Sequence, residues 1–562
     1  MSDATTTKAT SSHYRGLFLL LIIALLVRIE RAWMTTVVNP DTMRFIAQGK
    51  EFFINPLRAV RQEVYHPLQS VVAALVHNLI MIHLVHDDRM AWIISMQTVG
   101  VLAGSLVAIE IFWIARRFGA PAWACYAAAV IWIFGRKTGG YGADGISDML
   151  FLSLLGLSLL LAMKTGLRYQ PWYWLSAGVV AGLSYLTRPE GVAAVLIMLW
   201  ALLIHHGRYL FSAREPTARV LPFNKRRGLW PGVLAAFMLC GGYLIVGLPY
   251  MIAIGGFTRK KKLELFRMPA LPHAGLRTPY AHPMNLAFLG PSALFHPWMW
   301  LKIAQEVFET YGPATCIVLL AAMALCPRLW GRRRWRPAAL GWAGLWVLVM
   351  LWLLNVAGYL HGRHTLVLVL LMLAVLALGL QRISMRVQRW MAGRAQGQKP
   401  PWLPDALWGK AGARRISLLL CFLICIPGMV HLAYAPQRGM RFIKRGAAWL
   451  KTHAAPRDIV AIGIGDDRRA IVAYYSGLDY MYSKTTPFHM FSQEIRAMAN
   501  HRPIIVDLIL EGKQARHIPT KIGSFVLLTY HGKPVLFRAK HTLGANTLAF
   551  YVLPSTHVLK GE

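Results

Sequence analysis

Long apolar runs separated by short polar stretches dominate this chain. A helix that crosses a bilayer needs about 20 apolar residues, and on that criterion spans are expected near 16–35, 90–115, 119–135, 146–163, 172–187, 190–206, 229–255, 302–326, 338–357, 363–381 and 416–434. Residues 66–84, HPLQSVVAALVHNLIMIHL, are apolar but broken by histidines and open beside a Pro, so they read as an interfacial or re-entrant helix, and 41–54 as a shorter one. From about residue 436 the pattern changes. An amphipathic helix, a short β-rich run and another helix are followed by RPIIVDLIL, SFVLLTYHGKPVLFRAK and NTLAFYVLP, which alternate as strands do, with HGKP as a hairpin turn. The expected fold class is an α-helical polytopic membrane protein of about 11 transmembrane helices over 1–435, with a first outer loop at 36–89 and a C-terminal extracytoplasmic α/β domain over 436–562.

Composition supports this class. Of 562 residues, 56% are hydrophobic and 15% charged, too apolar for an ordinary soluble protein. The 61 Lys and Arg against 24 Asp and Glu lie in clumps between the spans, which speaks against nucleic acid as a partner and for the positive-inside rule. With a cytoplasmic amino terminus, the dense basic clusters fall inside, except RKKK at 259–262. The odd number of spans then leaves the carboxyl terminus outside. The start, MSDATTTKATSSHYR, has no small-residue cleavage site after its apolar run and reads as a signal anchor. The six cysteines lie in or at the ends of apolar segments and form neither a disulfide framework nor a zinc signature.

The acids are distributed unevenly. Residues 1–435 contain sixteen, and all but Asp3, Glu110, Glu215 and Asp405 fall at the expected outer face. Acids contribute little to topology, and ionisable groups at membrane depth usually mark a functional cavity. Asp41 follows the first span in VVNPDTMRF, and Asp144 and Asp148 lie in YGADGISDMLF at the start of another helix. Helix capping is a competing role for each, since an acid in a first turn favours the helix dipole. In SYLTRPEGVAAVL, Thr187-x-x-Glu190 with Pro189 reads as a capping box, which leaves Arg188 unexplained. Arg363 and His364 stand at the mouth of the helix in GYLHGRHTLVLVLLML, where Arg suits interfacial snorkelling or planar capture of phosphate. His77, His83 and His86 with Asp87 could gather near the outer surface, but no pair repeats a metal signature.

Taken in order, NPDTMRFIAQGKEF, YHPLQSVVAALVHNL, ISDMLFLSLLGLSLLLA, GLSYLTRPEGV and GRHTLVLVLLML resemble the GT-C superfold of membrane glycosyltransferases over roughly 16–380, in particular the bacterial protein O-mannosyltransferase and lipid A aminoarabinose transferase type. The mannosyltransferases carry an Asp-Glu pair in the first loop; here Thr42 follows Asp41. The resemblance implies inverting transfer of a sugar from a polyprenyl-phosphate carrier to a hydroxyl on a lipid, glycan or protein acceptor, at the extracytoplasmic face of a bacterial inner membrane. It implies Asp41 as general base and Asp148 as a group that orients the acceptor or the base. Arg363, with Arg188, Lys260, Lys261 and Lys262, would hold the phosphate, and Glu190, His364, His66 and Asp144 would line the substrate site. A divalent metal is possible in such a scheme but not required, and no other cofactor is implied. A transporter or flippase of lipid-linked or anionic substrates is the alternative, although the repeats common in such proteins are not evident here.

Overall fold

The computed structural model describes residues 3–432 apart from 36–37, 63–64, 136, 165–169, 212–225, 259–296, 313–314, 317–334, 358–359, 361 and 395–408. Beyond 432 it describes residues 434, 444, 447–448, 451–452, 471, 474–477 and five strands.

After α1 (Asp3–Met34) the chain runs through α2 (Pro40–Ile54), α3 (Pro56–Gln62), α4 (Leu68–Val76), a π-helical turn (His77–Met81) and α5 (Ile82–Leu84). The start of α2 follows from its sequence. Asn39 accepts from the Asp41 N–H at 3.0 Å, and Pro40 enters the first turn, where its missing N–H costs nothing. Next come α6 (Asp88–Phe118), α7 (Ala122–Ile133), α8 (Thr138–Ala143), α9 (Asp148–Lys164) and α10 (Pro171–Thr187). The Asp87 side chain caps α6, and Gly119, left-handed at φ 91°, ends it. A 3₁₀ turn (Pro189–Gly191) leads into α11 (Val192–Phe211), followed by α12 (Arg226–Ile254), α13 (Pro297–Tyr311), α14 (Trp335–Ala357), α15 (Gly362–Arg394) and α16 (Gly409–Leu432).

Among the described residues, Asp88–Phe118, Trp230–Ile254 and Arg363–Trp390 are long and apolar enough to cross a membrane, and Leu68–Leu84, Ala122–Ile133, Pro189–Ile204, Gly341–Leu351 and Leu418–Leu432 are shorter apolar helices. Within the helix anticipated at 302–326, a helix runs from Pro297 to Tyr311, Gly312 interrupts it at φ 81°, residues 315–316 are helical again, and 317–334 lie outside the described residues.

The core centres on α6, which packs against α1, α4, α7, α8, α9 and α15. Its small residues admit close neighbours: a Cβ on Gly100 would collide with the Gly142 carbonyl of α8. Into the same seam α1 sends Arg28, fully buried, which donates to the Thr138 carbonyl at 3.1 Å and lies over the Trp132 ring. Arg31, one turn on, donates to the carbonyls of Leu432 at 2.9 Å and Tyr434 at 2.6 Å and so ties α1 to the end of α16. The tightest helix pair is α10 with α12. A Cβ on Gly178 would overlap the Leu239 carbonyl, and one on Gly242 the Leu175 carbonyl, so the two backbones touch directly, as small residues allow between membrane helices.

In the C-terminal part, β1 (Asp458–Ile462), β2 (Asp479–Tyr482), β3 (Arg502–Leu510), β4 (Val535–Arg538) and β5 (Asn546–Val552) form a sheet in the order β2-β1-β3-β5-β4. β1 runs parallel to both β2 and β3, while β5 is antiparallel to β3, with Val506 opposite Phe550, and to β4, with Leu536 opposite Ala549. Strands therefore form at RPIIVDLIL and NTLAFYV, and β4 begins directly after HGKP; that turn and the expected first arm of its hairpin lie outside the described residues.

The glycine contact can be tested with a matched pair. Gly178→Val should lower the Tm of the detergent-purified protein by several degrees. Gly241→Ala, at a position where a Cβ meets nothing within 4 Å, should leave it unchanged or slightly raised.

Candidate active site

Three helix starts meet at one place. Asp41 lies in the first turn of α2, Asp148 opens α9, and Arg363 lies in the first turn of α15. The Arg363 guanidinium donates to Asp41 Oδ2 at 3.0 Å, and the two side chains are about one-quarter and one-fifth exposed (25% and 19%). Asp41 Oδ1 accepts from the Tyr65 hydroxyl at 2.8 Å, and Arg44 lies over the Tyr65 ring. Burial pushes the Asp41 carboxyl up, but Arg363, the Tyr65 hydroxyl and Arg44 outweigh it and hold it below the ordinary value of 3.8.

A second, deeper ion cluster adjoins the first. Arg188 donates to Asp148 Oδ1 and, through its other edge, to Glu190 at 3.0 and 3.3 Å. Burial disfavours charge on Arg188, yet Asp148 and Glu190 together keep it firmly protonated. The local chain serves this contact. Arg188 is extended (φ −154°, ψ 140°), Pro189 starts the 3₁₀ turn, and a Cβ on Gly191 would strike the backbone of Ser184 and Tyr185. The capping box expected at Thr187-x-x-Glu190 does not form: Thr187 donates back to the Ser184 carbonyl, and Glu190 is held by Arg188. Asp148 keeps its second oxygen, Oδ2, buried without a hydrogen-bond partner among the described residues.

Both clusters reach a cavity of about 360 Å³. Asp148, Arg188, Glu190, Arg363 and His364 form its polar end, while Leu196 of α11 and Leu345, Leu348, Val349 and Met350 of α14 line its apolar walls. Trp346, also in the wall, donates its indole N–H to the His364 carbonyl at 2.8 Å and fixes α14 to the start of α15. Chemically the polar end combines two carboxylates, two guanidiniums and the starts of α9 and α15, with Asp41 just behind Arg363, an arrangement suited to an anionic head group whose apolar remainder lies along the walls.

The candidates anticipated from sequence divide as follows. Asp41, Asp148, Arg188, Glu190, Arg363 and His364 come together. Asp144 does not line the cavity; its carbonyl accepts from Thr42 Oγ1 at 2.7 Å, which binds the start of α2 to the turn before α9. His66 lies behind the wall, with Nδ1 2.6 Å from the Tyr185 carbonyl and its ring against Tyr185 and Tyr250. Lys260, Lys261 and Lys262 lie outside the described residues. Of the histidines, His77 contacts Asp88 at 3.0 Å while His83 and His86 are exposed, and among the described residues no group of three His, Cys, Asp or Glu could hold a metal ion. The sequence reading missed Tyr65, the direct partner of Asp41, and Tyr141, whose hydroxyl lies within electrostatic reach of Asp148 and Arg363. The one signal for Tyr65 was its place beside His66 and Pro67 after a polar stretch.

The comparisons with known proteins bear on the fold. Residues 70–222 match the pattern of the dolichyl-phosphate-mannose-protein mannosyltransferase family. The structure of ArnT from Cupriavidus metallidurans in the apo state is similar over 96% of this chain and 98% of its own, at 13% identity and a TM-score of 0.55. The same enzyme bound to undecaprenyl phosphate is similar over 95% and 97%, at 13% identity and 0.51. The archaeal oligosaccharyltransferase AglB from Archaeoglobus fulgidus, in complex with an inhibitory peptide and a dolichol-phosphate, is similar over 89% and 69%, at 11% identity and 0.53. No curated protein sequence matches the chain. The fold is that of the GT-C membrane glycosyltransferases, and the chain resembles the ArnT and protein mannosyltransferase type within them.

Two outcomes follow from the site. Thr42 is fully buried, its methyl 3.0 Å from where a Cβ on Gly145 would stand. Thr42→Glu, which would restore the acidic pair of the mannosyltransferases, should therefore lower the Tm sharply, whereas Thr42→Ser should be near neutral. The second concerns pH. Since the folded Asp41 pKa lies below 3.8, its contribution to stability is complete above about pH 5 and is lost as the pH falls through the lower folded value. The Tm difference between the native protein and Asp41→Asn should be constant from about pH 8 to 5 and shrink below about pH 4.

Proposed function

We propose that this protein transfers a sugar, with inversion at the anomeric carbon, from a polyprenyl-phosphate carrier to a hydroxyl acceptor at the extracytoplasmic face of a bacterial cytoplasmic membrane. The observation that carries the reading is the Asp41–Arg363 ion pair beside the charged end of an apolar-walled cavity. The lipid phosphates bound by ArnT and AglB support a carrier of this class. In this reading eleven helices span the membrane, and 436–562 form a domain on the same face as Asp41.

The chemistry is a single displacement. The acceptor oxygen bonds to the anomeric carbon, the bond from that carbon to the phosphate oxygen breaks, and the lipid phosphate leaves with the electron pair. Asp41 takes the hydroxyl proton. Its resting partner, Arg363, keeps it a poor base until a phosphate draws the guanidinium toward itself; the carboxylate then gains proton affinity when the donor is in place. Arg363 meanwhile holds the charge growing on the leaving group. Arg188, already shared by two carboxylates, acts mainly to fix Asp148 and Glu190 in the cavity lining. Lys260 and Lys261 are proposed, from sequence, as further phosphate contacts.

The test is to incubate the purified protein with a polyprenyl-phosphate sugar and a hydroxyl acceptor and to measure released polyprenyl phosphate. Asp41→Asn should lower turnover by about 10²–10⁴-fold while donor binding persists. Arg363→Ala should weaken donor binding. Normal turnover by Asp41→Asn would remove the base assignment, and an intact donor with the native protein would favour a transporter.

A further inference from the structure

The first outer loop grips the end of α12 at two points. Arg61, in the last turn of α3, donates to the Ala253 carbonyl at 3.1 Å. His66 reaches the chain just beyond that helix. Its Nδ1 lies 2.6 Å from the Tyr185 carbonyl and its Nε2 3.3 Å from Thr258 Oγ1. A carbonyl only accepts, so Nδ1 carries the proton, and in the neutral ring Nε2 accepts from the Thr258 hydroxyl. The histidine is 1% exposed and meets the rings of Tyr185 and Tyr250 at centroid distances of 5.0 and 4.9 Å. Beside Thr258 stands Phe257, a residue of the cavity lining whose carbonyl accepts from the Tyr185 hydroxyl. The turn leading to Phe257 runs through Gly255, at φ 70°, and Gly256. A Cβ on either would meet nothing within 4 Å, so packing at these two positions does not fix it. Tyr65, the residue before His66, donates to Asp41 Oδ1 at 2.8 Å. Two successive side chains of one loop thus hold the cavity wall and the Asp41 carboxylate.

We infer that His66 is a positioning residue for carrier binding: through Thr258 it pins Phe257 to the loop that holds Asp41, and so keeps that wall of the cavity in register with the carboxylate. This gives a buried histidine behind the cavity a role that needs no contact with the carrier. Such a residue acts on binding and not on the chemical step, because the wall meets the carrier in the ground state and the transition state alike. The inference deepens the glycosyl-transfer reading, since it takes the cavity as the carrier's site. The contact between His66 and Thr258 stands apart from that reading and can be tested separately.

The experiment uses the full-length protein in nanodiscs. His66→Asn keeps an amide donor near the place of Nδ1 and removes the contact with Thr258. Thr258→Val removes the same contact from the other side, and Thr258→Ser keeps the hydroxyl. Binding of undecaprenyl phosphate is measured for each. The Kd should rise about fivefold in His66→Asn and in Thr258→Val, as for one lost hydrogen bond, and rise no further when the two are combined. Thr258→Ser should bind as the native protein does. With a polyprenyl-phosphate sugar, KM should follow Kd while kcat is unchanged. Hydrogen exchange is read in a peptide covering 250–258, where the Gly255 and Gly256 amides bond to the Ile252 and Met251 carbonyls. It should rise in His66→Asn and Thr258→Val, with the Tm and a peptide from α6 unchanged. Unchanged exchange in Thr258→Val overturns the contact. Raised exchange with an unchanged Kd, a loss confined to kcat, or effects that add in the combined variant overturn the positioning role. Should His66→Asn lower the Tm, Thr258→Val against Thr258→Ser still decides. If the native protein binds no undecaprenyl phosphate, the carrier reading and the positioning role fail together, while exchange still decides the contact.

Discussion

The architecture turns on one ion pair. Asp41 and Arg363 are separated by 322 positions in the chain yet meet at 3.0 Å, joining the first loop after α1 to the start of α15. Arg363 occupies the first turn of its helix, the positive end of the dipole, where a cation is unfavourable by itself. A carboxylate opposite it removes that penalty. At the surface such a pair contributes little, on the order of 0–1 kcal/mol. Where burial is nearly complete, as for Arg188 and Asp148, removing one partner leaves an uncompensated charge and costs about 3–5 kcal/mol. The Asp41 pair lies between these limits. That suits the proposed role, in which the contact holds the resting site together and opens when a competing anion arrives.

The two ion clusters hold three carboxylates and two guanidiniums. Each carboxylate is fixed by a local chain feature: Asp41 by the Asn39 cap, Asp148 by the start of α9, and Glu190 by the 3₁₀ turn that Gly191 makes possible. The scaffold beneath them is built from small residues. Direct backbone contact between α10 and α12 leaves Tyr185 and Tyr243 packed beside each other and places Phe257 at the cavity. A substitution at Gly178 thus acts on the site through helix spacing, without touching it.

Much of the site was legible in the sequence because acids and arginines are rare in apolar surroundings. Asp41, Asp148, Arg188 and Arg363 each stood out as a charge at the edge of an apolar run. The helices were legible for the same reason, since long apolar stretches leave few alternatives. Pairing was harder to read. Thr187 and Glu190 have capping-box spacing, but spacing says nothing of Asp148, 40 residues back in the chain, which captures Arg188 and draws Glu190 to the same guanidinium. His66 looked like a ligand and does not line the cavity, because its nearest partner is the Tyr185 backbone carbonyl, which no side-chain pattern announces. Tyr65 escaped notice because a tyrosine in a polar loop carries no charge to mark it. Thr42 looked like a departure from a family pattern, and its bond to the Asp144 carbonyl gives that departure a structural reason.

The cavity has unlike ends, with guanidiniums and carboxylates at one and Leu196, Leu345 and Leu348 along the walls toward the other. An amphiphile in such a slot can lie only one way round, because reversing it would strand its head in hydrocarbon. With a volume of about 360 Å³, the slot also has little room for two heads at once. On the proposed glycosyl-transfer reading, traffic through it is single file: a fresh carrier waits for the spent one to withdraw, which makes departure a step that can govern throughput.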